Sequence, residues 1–275
     1  MTDAINAARA RLAVIGTGQM GGALVRGWAK AGTLPGANVR LFDVRREAAR
    51  ALAAETGAVA CEAAEDAVRG ADAVLLAVKP YFIADTLRAL RDHLPFSALL
   101  VSIAAGVPLA KLEGPAPTAE TPVIRVMPNT PALVGEGASA YCRGKNATEA
   151  HAQFVATLFS AVGRCVEVTE PQIDAVIGVA GSAPAYFYLI VEALTDGGVR
   201  AGLPRDVART LAAQTMLGAA KMVLETGEHP MALKDAVTTP GGTTIAALGV
   251  LESAGIRGTL MDAVKAAQER AREMG

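Results

Sequence analysis

A chain of 275 residues with 52% hydrophobic and 19% charged side chains can bury one large core or two of ordinary size. Aromatic residues make up only 4%, so the core must be built from Ala, Val, Leu and Ile. A net charge of −1, with Lys and Arg scattered along the chain, leaves no basic stripe to release counterions, so nucleic acid is not an expected partner.

Near the N-terminus, Arg9 and Arg11 precede the apolar run 12–15, which superficially resembles a signal peptide. The glycine-rich run that follows reads better as a strand-to-helix turn, and no cleavage-like site flanks it. Short β-branched runs then alternate with helical patterns. Strands are expected at 12–15, 39–42, 73–78, 98–103 and 123–127, with a less regular one at 138–142. Helices are expected at 20–31, 45–56, 62–69, 82–93 and 149–161. Such alternation implies a parallel sheet with crossover helices. Gly16, Asp43, Lys79-Pro80, Ala105-Gly106 and Pro128-Asn129 mark strand ends, where ligands of such sheets gather.

After Cys165-Val166-Glu167-Val168 the pattern becomes almost wholly helical. One long apolar helix is expected over 173–199, interrupted around Gly181-Ser182-Ala183-Pro184, and a second over 204–225 opens on a proline. Helices at 243–253 and 259–273 complete the set. The uncharged stretch 175–191 carries glycines and a proline and is shorter than the roughly 20 residues a spanning helix needs, so it reads as soluble core, with no membrane partner. The chain therefore divides into an α/β domain, 1–167, and an all-α domain, 168–275. Four helices with this much small apolar surface seldom bury it alone, which makes the second a dimerisation domain.

Gly16-Thr17-Gly18-Gln19-Met20-Gly21 is a G-x-G-x-x-G between an expected strand and an expected helix, with Asp43 closing the next strand. Glycines let the backbone turn tightly and approach a pyrophosphate, and the helix N-terminus supplies free N–H donors. This is the dinucleotide fingerprint of a Rossmann domain. Asp43 is the residue type that holds an adenosine 2′-hydroxyl, as in NAD, whereas Arg45 and Arg46 suit the 2′-phosphate of NADP. Both cofactors, NADPH and NADH, stay open at this point. Ala104 and Ala105 are small enough to let a cofactor backbone pass. Asn129 and Thr130 either border a nicotinamide or form an Asx-type turn.

Cys61, Cys142 and Cys165 are widely spaced and odd in number, which fits neither a disulfide framework nor a metal site and points to the cytoplasm. His93, His151 and His229 fall on polar faces or in a loop and are not expected to be catalytic.

From Ala77-Val78-Lys79-Pro80 and Ser102-Ile-Ala-Ala-Gly106 onward the chain resembles the pyrroline-5-carboxylate reductases. The resemblance tightens at Val126-Met-Pro-Asn129-Thr-Pro131, Gly135-Glu-Gly137-Ala and Gly181-Ser182-Ala183-Pro184-Ala-Tyr186. It culminates in Leu233-Lys-Asp-Ala-Val237-Thr-Thr-Pro240-Gly-Gly242-Thr-Thr244-Ile, and with the glycine loop the motifs keep the family's order and spacing from about residue 11 to the C-terminus. Two departures, Ala180 and Ala183, replace a Ser and a Gly of the usual Ser-Gly-Ser-Gly-Pro-Ala-Tyr. Ala247 stands where glycine is frequent.

This resemblance implies reduction of 1-pyrroline-5-carboxylate to L-proline by NADPH or NADH, with NADP favoured. It also implies a homodimer interlocked through its helical domain, often gathered into decamers. Ala77, Val78, Lys79 and Pro80 would then belong to the nucleotide-binding segment. Gly242, Thr243 and Thr244 would contact the substrate carboxylate through backbone N–H groups, Thr244 would face the ring nitrogen as the catalytic side chain, and Val237 would pack on the ring. Read without the resemblance, the same run is a glycine-rich helix entry able to hold a small anion. A related hydroxyacid dehydrogenase would place a lysine on the long helix, and 173–199 has none. A non-catalytic NAD(P) sensor would have no use for the Gly-Gly-Thr-Thr run.

Overall fold

The computed structural model describes residues 5–274, which fall into two compact units. One holds the described residues up to Ser182 together with those from Lys265 onward; the other is Ala183–Val264.

The first unit is built on an eight-stranded sheet: β1 (Leu12–Ile15), β2 (Val39–Phe42), β3 (Val59–Ala60), β4 (Ala73–Leu76), β5 (Leu99–Ser102), β6 (Val123–Met127), β7 (Gly137–Arg143) and β8 (Gly163–Glu167). Their order is β3-β2-β1-β4-β5-β6-β7-β8, parallel throughout except that β7 runs antiparallel to β6. The helices are α1 (Gln19–Ala31), α2 (Arg46–Thr56), α3 (Ala64–Val68), α4 (Ile83–Leu90), α5 (Leu109–Glu113), α6 (Glu149–Ser160) and α7 (Glu170–Val176). β1, β4 and β5 are buried at every residue, as strands covered on both faces must be. Alternation along β1 sends Leu12 and Val14 to one core, with Leu24, Trp28 and Phe154. Ala13 and Ile15 go to the other, with Val74, Leu87 and Leu100. The buried Trp28 indole donates to the Leu158 carbonyl at 2.8 Å, so its polar atom costs the core nothing.

β1, β2 and β6 have the limits expected from their sequence. β3 and β8 were not foreseen. Two residues carry no pattern, and β8 (Gly-Arg-Cys-Val-Glu) is a polar edge strand defined by its register on β7 rather than by alternation.

The compositional change at 167/168 coincides with the end of β8, yet the compact unit continues through α7. Packing and charge both hold it: Ile173 is fully buried in the second core cluster. Arg125 on β6 is 4% exposed and lies 3.7 Å from Glu170 and 3.5 Å from Asp174, both on α7, so that helix is tied to the sheet. Arg272 reaches Asp174 at 3.6 Å and joins the C-terminal residues to the same network.

The second unit contains α8 (Ala183–Arg200), α9 (Arg205–Thr226), α10 (Pro230–Ala236), α11 (Thr243–Ser253) and the first part of α12 (Ile256–Met274). α8 and α9 form an antiparallel pair so close that a Cβ at Gly198 would stand 2.8 Å from that of Ala208. Leu189, Val250 and Met261 are 72%, 71% and 71% exposed, an apolar surface that one chain leaves uncovered.

The helical run Glu170–Arg200 is long and apolar enough to cross a membrane by length and composition. It is broken by a π turn at Ile177–Gly181, closed by the Ser182 N–H on the Ile177 carbonyl at 2.8 Å. The interruption foreseen in the sequence thus begins four residues before the Gly-Ser-Ala-Pro run.

Candidate functional site

Strands lead away from β1 in opposite directions, to β2 and β3 on one side and to β4 onward on the other. A crevice must open where the chain reverses, at the carboxyl ends of β1 and β4. A cleft of about 1030 Å³ lies there, walled by the loops after β1, β2, β4, β5 and β6.

The three glycines of the loop after β1 do different work. Gly16 has φ +101°, and a Cβ on it would meet the Ala77 carbonyl oxygen at 2.7 Å. A Cβ at Gly21 would fall on the Gly16 carbonyl, so this glycine seats α1 against the loop. At Gly18 a Cβ would meet nothing within 4 Å. Its φ of −65° suits any residue, so nothing in the fold demands a glycine there. A glycine there leaves room for a ligand backbone to pass close, and the residues present fit a dinucleotide pyrophosphate on the α1 N-terminus.

Asp43 is nearly buried. One carboxylate oxygen accepts from the Thr17 N–H at 2.7 Å and the Thr17 hydroxyl at 3.1 Å, and the other accepts from the Arg45 N–H at 2.9 Å. Arg46 pairs with Glu62 at 2.9 Å and lies 5.9 Å over the Phe42 ring. Hydrogen bonds from Arg50 and Arg46 hold the Glu62 carboxyl below its usual range. Arg45 is different: its side chain is 73% exposed on the cleft wall, and its one ion-pair contact among the described residues is with Asp43, at 3.9 Å.

Most of the expected cofactor residues line this cleft: Gly16, Thr17, Gly18, Gln19, Met20, Asp43, Arg45, Ala77, Val78, Lys79, Pro80 and Ala104. Gly21 and Asn129 stand behind it. The Asn129 amide is engaged elsewhere, donating to the Ala180 carbonyl at 3.1 Å and accepting from the Ala138 N–H at 2.8 Å, while its neighbour Thr130 faces the cleft. Sequence reasoning missed Phe82, Thr86 and Ala89. Their i, i+4, i+7 spacing was the available signal, since it places all three on one face of the helix entered at Pro80.

The expected substrate segment lies in the second unit. Gly241 has φ +68°, and Gly242 is the N-cap of α11, so no side-chain cap closes the helix. The Gly242 N–H, expected to contact the substrate carboxylate, donates here to the Thr239 carbonyl at 3.0 Å. Thr243, Thr244 and Ile245 form the first turn, whose N–H groups have no intrahelical acceptor by geometry and none among the described residues. Val237 is 65% exposed and ends α10.

Among the described residues, no histidine enters the cleft wall. His151 closes a capping box with Thr148 at the start of α6, where burial lowers its pKa, and His229 caps α10. Burial pushes the Cys142 and Cys165 thiols up to about 12, so neither carries much thiolate at neutral pH.

Comparison with known proteins gives a consistent answer. Residues 170–274 match the family model described as pyrroline-5-carboxylate reductase dimerisation, and 11–106 match NADP oxidoreductase, coenzyme F420-dependent. The pyrroline-5-carboxylate reductase of Glycine max is 46% identical over 96% of this chain and 95% of its own length. That of Methanosarcina acetivorans is also 46% identical, over 96% and 98%. Among solved structures, the Plasmodium falciparum pyrroline carboxylate reductase with NADP bound superposes with a TM-score of 0.87 at 34% identity, covering 98% of this chain and 99% of that one. A pyrroline-5-carboxylate reductase from Coxiella burnetii reaches 0.92 at 32%, covering 97% and 99%.

Proposed function

The chain belongs to the pyrroline-5-carboxylate reductase family, and from that premise we propose that its two sites act together in reducing 1-pyrroline-5-carboxylate to L-proline. The observation that carries the reading is the open first turn of α11, which offers a small carboxylate N–H donors that no side chain caps. When bound, the reduced nicotinamide cofactor supplies the hydride that converts the C=N bond to C–N.

The residues of the chain bind and orient. Gly16, Thr17, Gly18, Gln19 and Met20 hold the pyrophosphate on the α1 N-terminus, and the small Ala104 and Ala105 leave room for the cofactor beside β5. Lys79, with Ala77, Val78 and Pro80, walls the opposite side. Arg45 reads the adenosine 2′-phosphate, so NADPH is the preferred donor; Asp43 is engaged with Thr17 and is a poor partner for a 2′-hydroxyl.

On the substrate side, the Thr243 and Thr244 N–H groups hold the carboxylate, aided by the positive end of α11. The Thr244 hydroxyl hydrogen-bonds the ring nitrogen, and Val237 packs on the ring. Gly242 contributes by having no side chain there. The imine takes its proton from solvent, and catalysis is mostly positioning.

The functional division we propose is a cofactor domain, 1–167, and a dimerisation and substrate domain, 168–275, in line with a family match that begins at residue 170. The chain forms oligomers through the helical domain. A homodimer, with five dimers closing into a decamer, is the assembly we propose, and light scattering at micromolar concentration tests it. Three free thiols suit the reducing cytoplasm as its location.

The test of the reading is direct: pyrroline-5-carboxylate is offered with NADPH and, separately, with NADH, and loss of nicotinamide absorbance is followed. Turnover with a lower KM for NADPH is expected. Absence of cofactor oxidation across a pH series sinks the assignment.

A further inference from the structure

The π turn Ile177–Gly181 is a local defect with a definite environment. Pro184 has no N–H, so the Ala180 carbonyl, four residues before it, cannot receive the ordinary helical hydrogen bond from that position. A donor from the loop after β6 does reach this carbonyl: Asn129 Nδ2, at 3.1 Å. Its Oδ1 accepts from the Ala138 N–H at 2.8 Å, so one amide links the end of β6, the start of β7 and the π turn. Asn129 is 7% exposed, and the bond is shielded from water. The fit is close on the neighbouring residue as well, because a Cβ at Gly181 would stand 2.6 Å from Met127 Cε. The turn is therefore seated on the carboxyl end of β6, the sheet edge where the cleft opens.

The next residue after Asn129, Thr130, is part of the cleft wall, as is Leu133. Because Thr130 follows Asn129 directly, an anchor on Asn129 constrains the backbone that carries Thr130. At the opposite end of the same helical segment, Arg125 holds α7 through Glu170 and Asp174. Losing Asn129 would leave α7 anchored and free only the turn and the Thr130 wall.

We propose that Asn129 is a positioning residue for the reduction: by donating to the Ala180 carbonyl it locks the π turn on the end of β6 and so fixes Thr130 in the cleft wall. It acts through Thr130, and hydride transfer is sensitive to such placement, since a displacement of about 1 Å can cost on the order of 100-fold in rate. This inference rests on the reductase reading above.

The experiment compares wild type with Asn129→Asp, Thr130→Ala and the double variant. Asn129→Asp keeps the acceptor for Ala138 and loses the donor to Ala180, so the fold has the better chance of surviving it; Asn129→Ala serves as a second variant, and thermal melts verify both. Expected are a kcat about tenfold lower in Asn129→Asp and an NADPH dissociation constant, titrated by nicotinamide fluorescence without substrate, within about threefold of wild type. The double variant should be no slower than the worse single, because both act through one wall.

Wild-type kcat in Asn129→Asp overturns the proposal. So does a loss of NADPH affinity as large as the loss of kcat, which would put Asn129 on the cofactor itself, and so does additivity with Thr130→Ala. A wild-type enzyme that does not turn over pyrroline-5-carboxylate instead removes the reductase reading, while the fluorescence titration still reports on the cleft.

Discussion

Thr17 and Asp43 stand 26 residues apart in sequence and are joined twice, with the Thr17 N–H at 2.7 Å and its hydroxyl at 3.1 Å from one carboxylate oxygen of Asp43. This pair staples the glycine loop after β1 to the end of β2. Thr17→Val should remove only the hydroxyl bond and cost about 1 kcal/mol. Asp43→Ala leaves the Thr17 and Arg45 N–H groups unpaired and should cost about 3 kcal/mol while weakening NADPH binding. Urea unfolding with a parallel cofactor titration checks both. An Asp43→Ala protein with unchanged stability and altered NADH binding alone would mean that the carboxylate serves the ribose instead.

Arg45 and Arg46 are adjacent but differently occupied. Arg46 is tied to Glu62, whereas the Arg45 guanidinium is exposed on the cleft wall. Arg45→Ala should raise KM for NADPH about tenfold and leave KM for NADH nearly unchanged, since only NADPH carries the phosphate. Equal effects on the two cofactors would remove Arg45 from that role.

Thr244 sits in the first turn of α11 with no side-chain partner among the described residues. Thr244→Ala should lower kcat about tenfold, the weight of one hydrogen bond of ~1.4 kcal/mol, with NADPH affinity unchanged. Thr244→Ser should recover most of it. Steady-state kinetics with a binding titration separates these effects, and a serine variant as slow as the alanine one counts against a hydroxyl role.

His151 gives the fold a pH dependence. Its Nδ1 accepts the Thr148 N–H at 3.1 Å, which only the neutral imidazole can do, and burial lowers its pKa. The unfolded chain, with an ordinary value of about 6.5, therefore takes up a proton before the folded one does. The stabilisation from this cap is complete above that value and is lost as pH falls through the lower, folded one. His151→Gln keeps an acceptor that does not titrate. Its melting temperature should decline less than that of wild type between about pH 7.5 and pH 5, and parallel declines would exclude His151 as a source.

Much of this protein was legible as sequence because its signals are local. The glycine loop needs a tight turn and a free helix end within six residues, and Gly16 to Gly21 spell that out. β1, β2 and β6 carry enough apolar residues to be recognised alone. The resemblance to the reductases, strongest over residues 233–245, rests on motif order, which is a property of sequence.

Tertiary structure decided whatever depends on a partner distant along the chain. Asp43 and Arg45 look like rival cofactor readers in sequence; the bonds from Thr17 engage one and leave the other open. Asn129 reads equally as a nicotinamide contact or a turn residue, and only folding brings it to a carbonyl 51 positions away, opposite a proline that has no hydrogen to give. The turn that brings the Gly242 N–H to the Thr239 carbonyl is likewise visible only in the fold. Composition and local spacing determine which backbone groups need partners, and the packed chain determines which of them already have one.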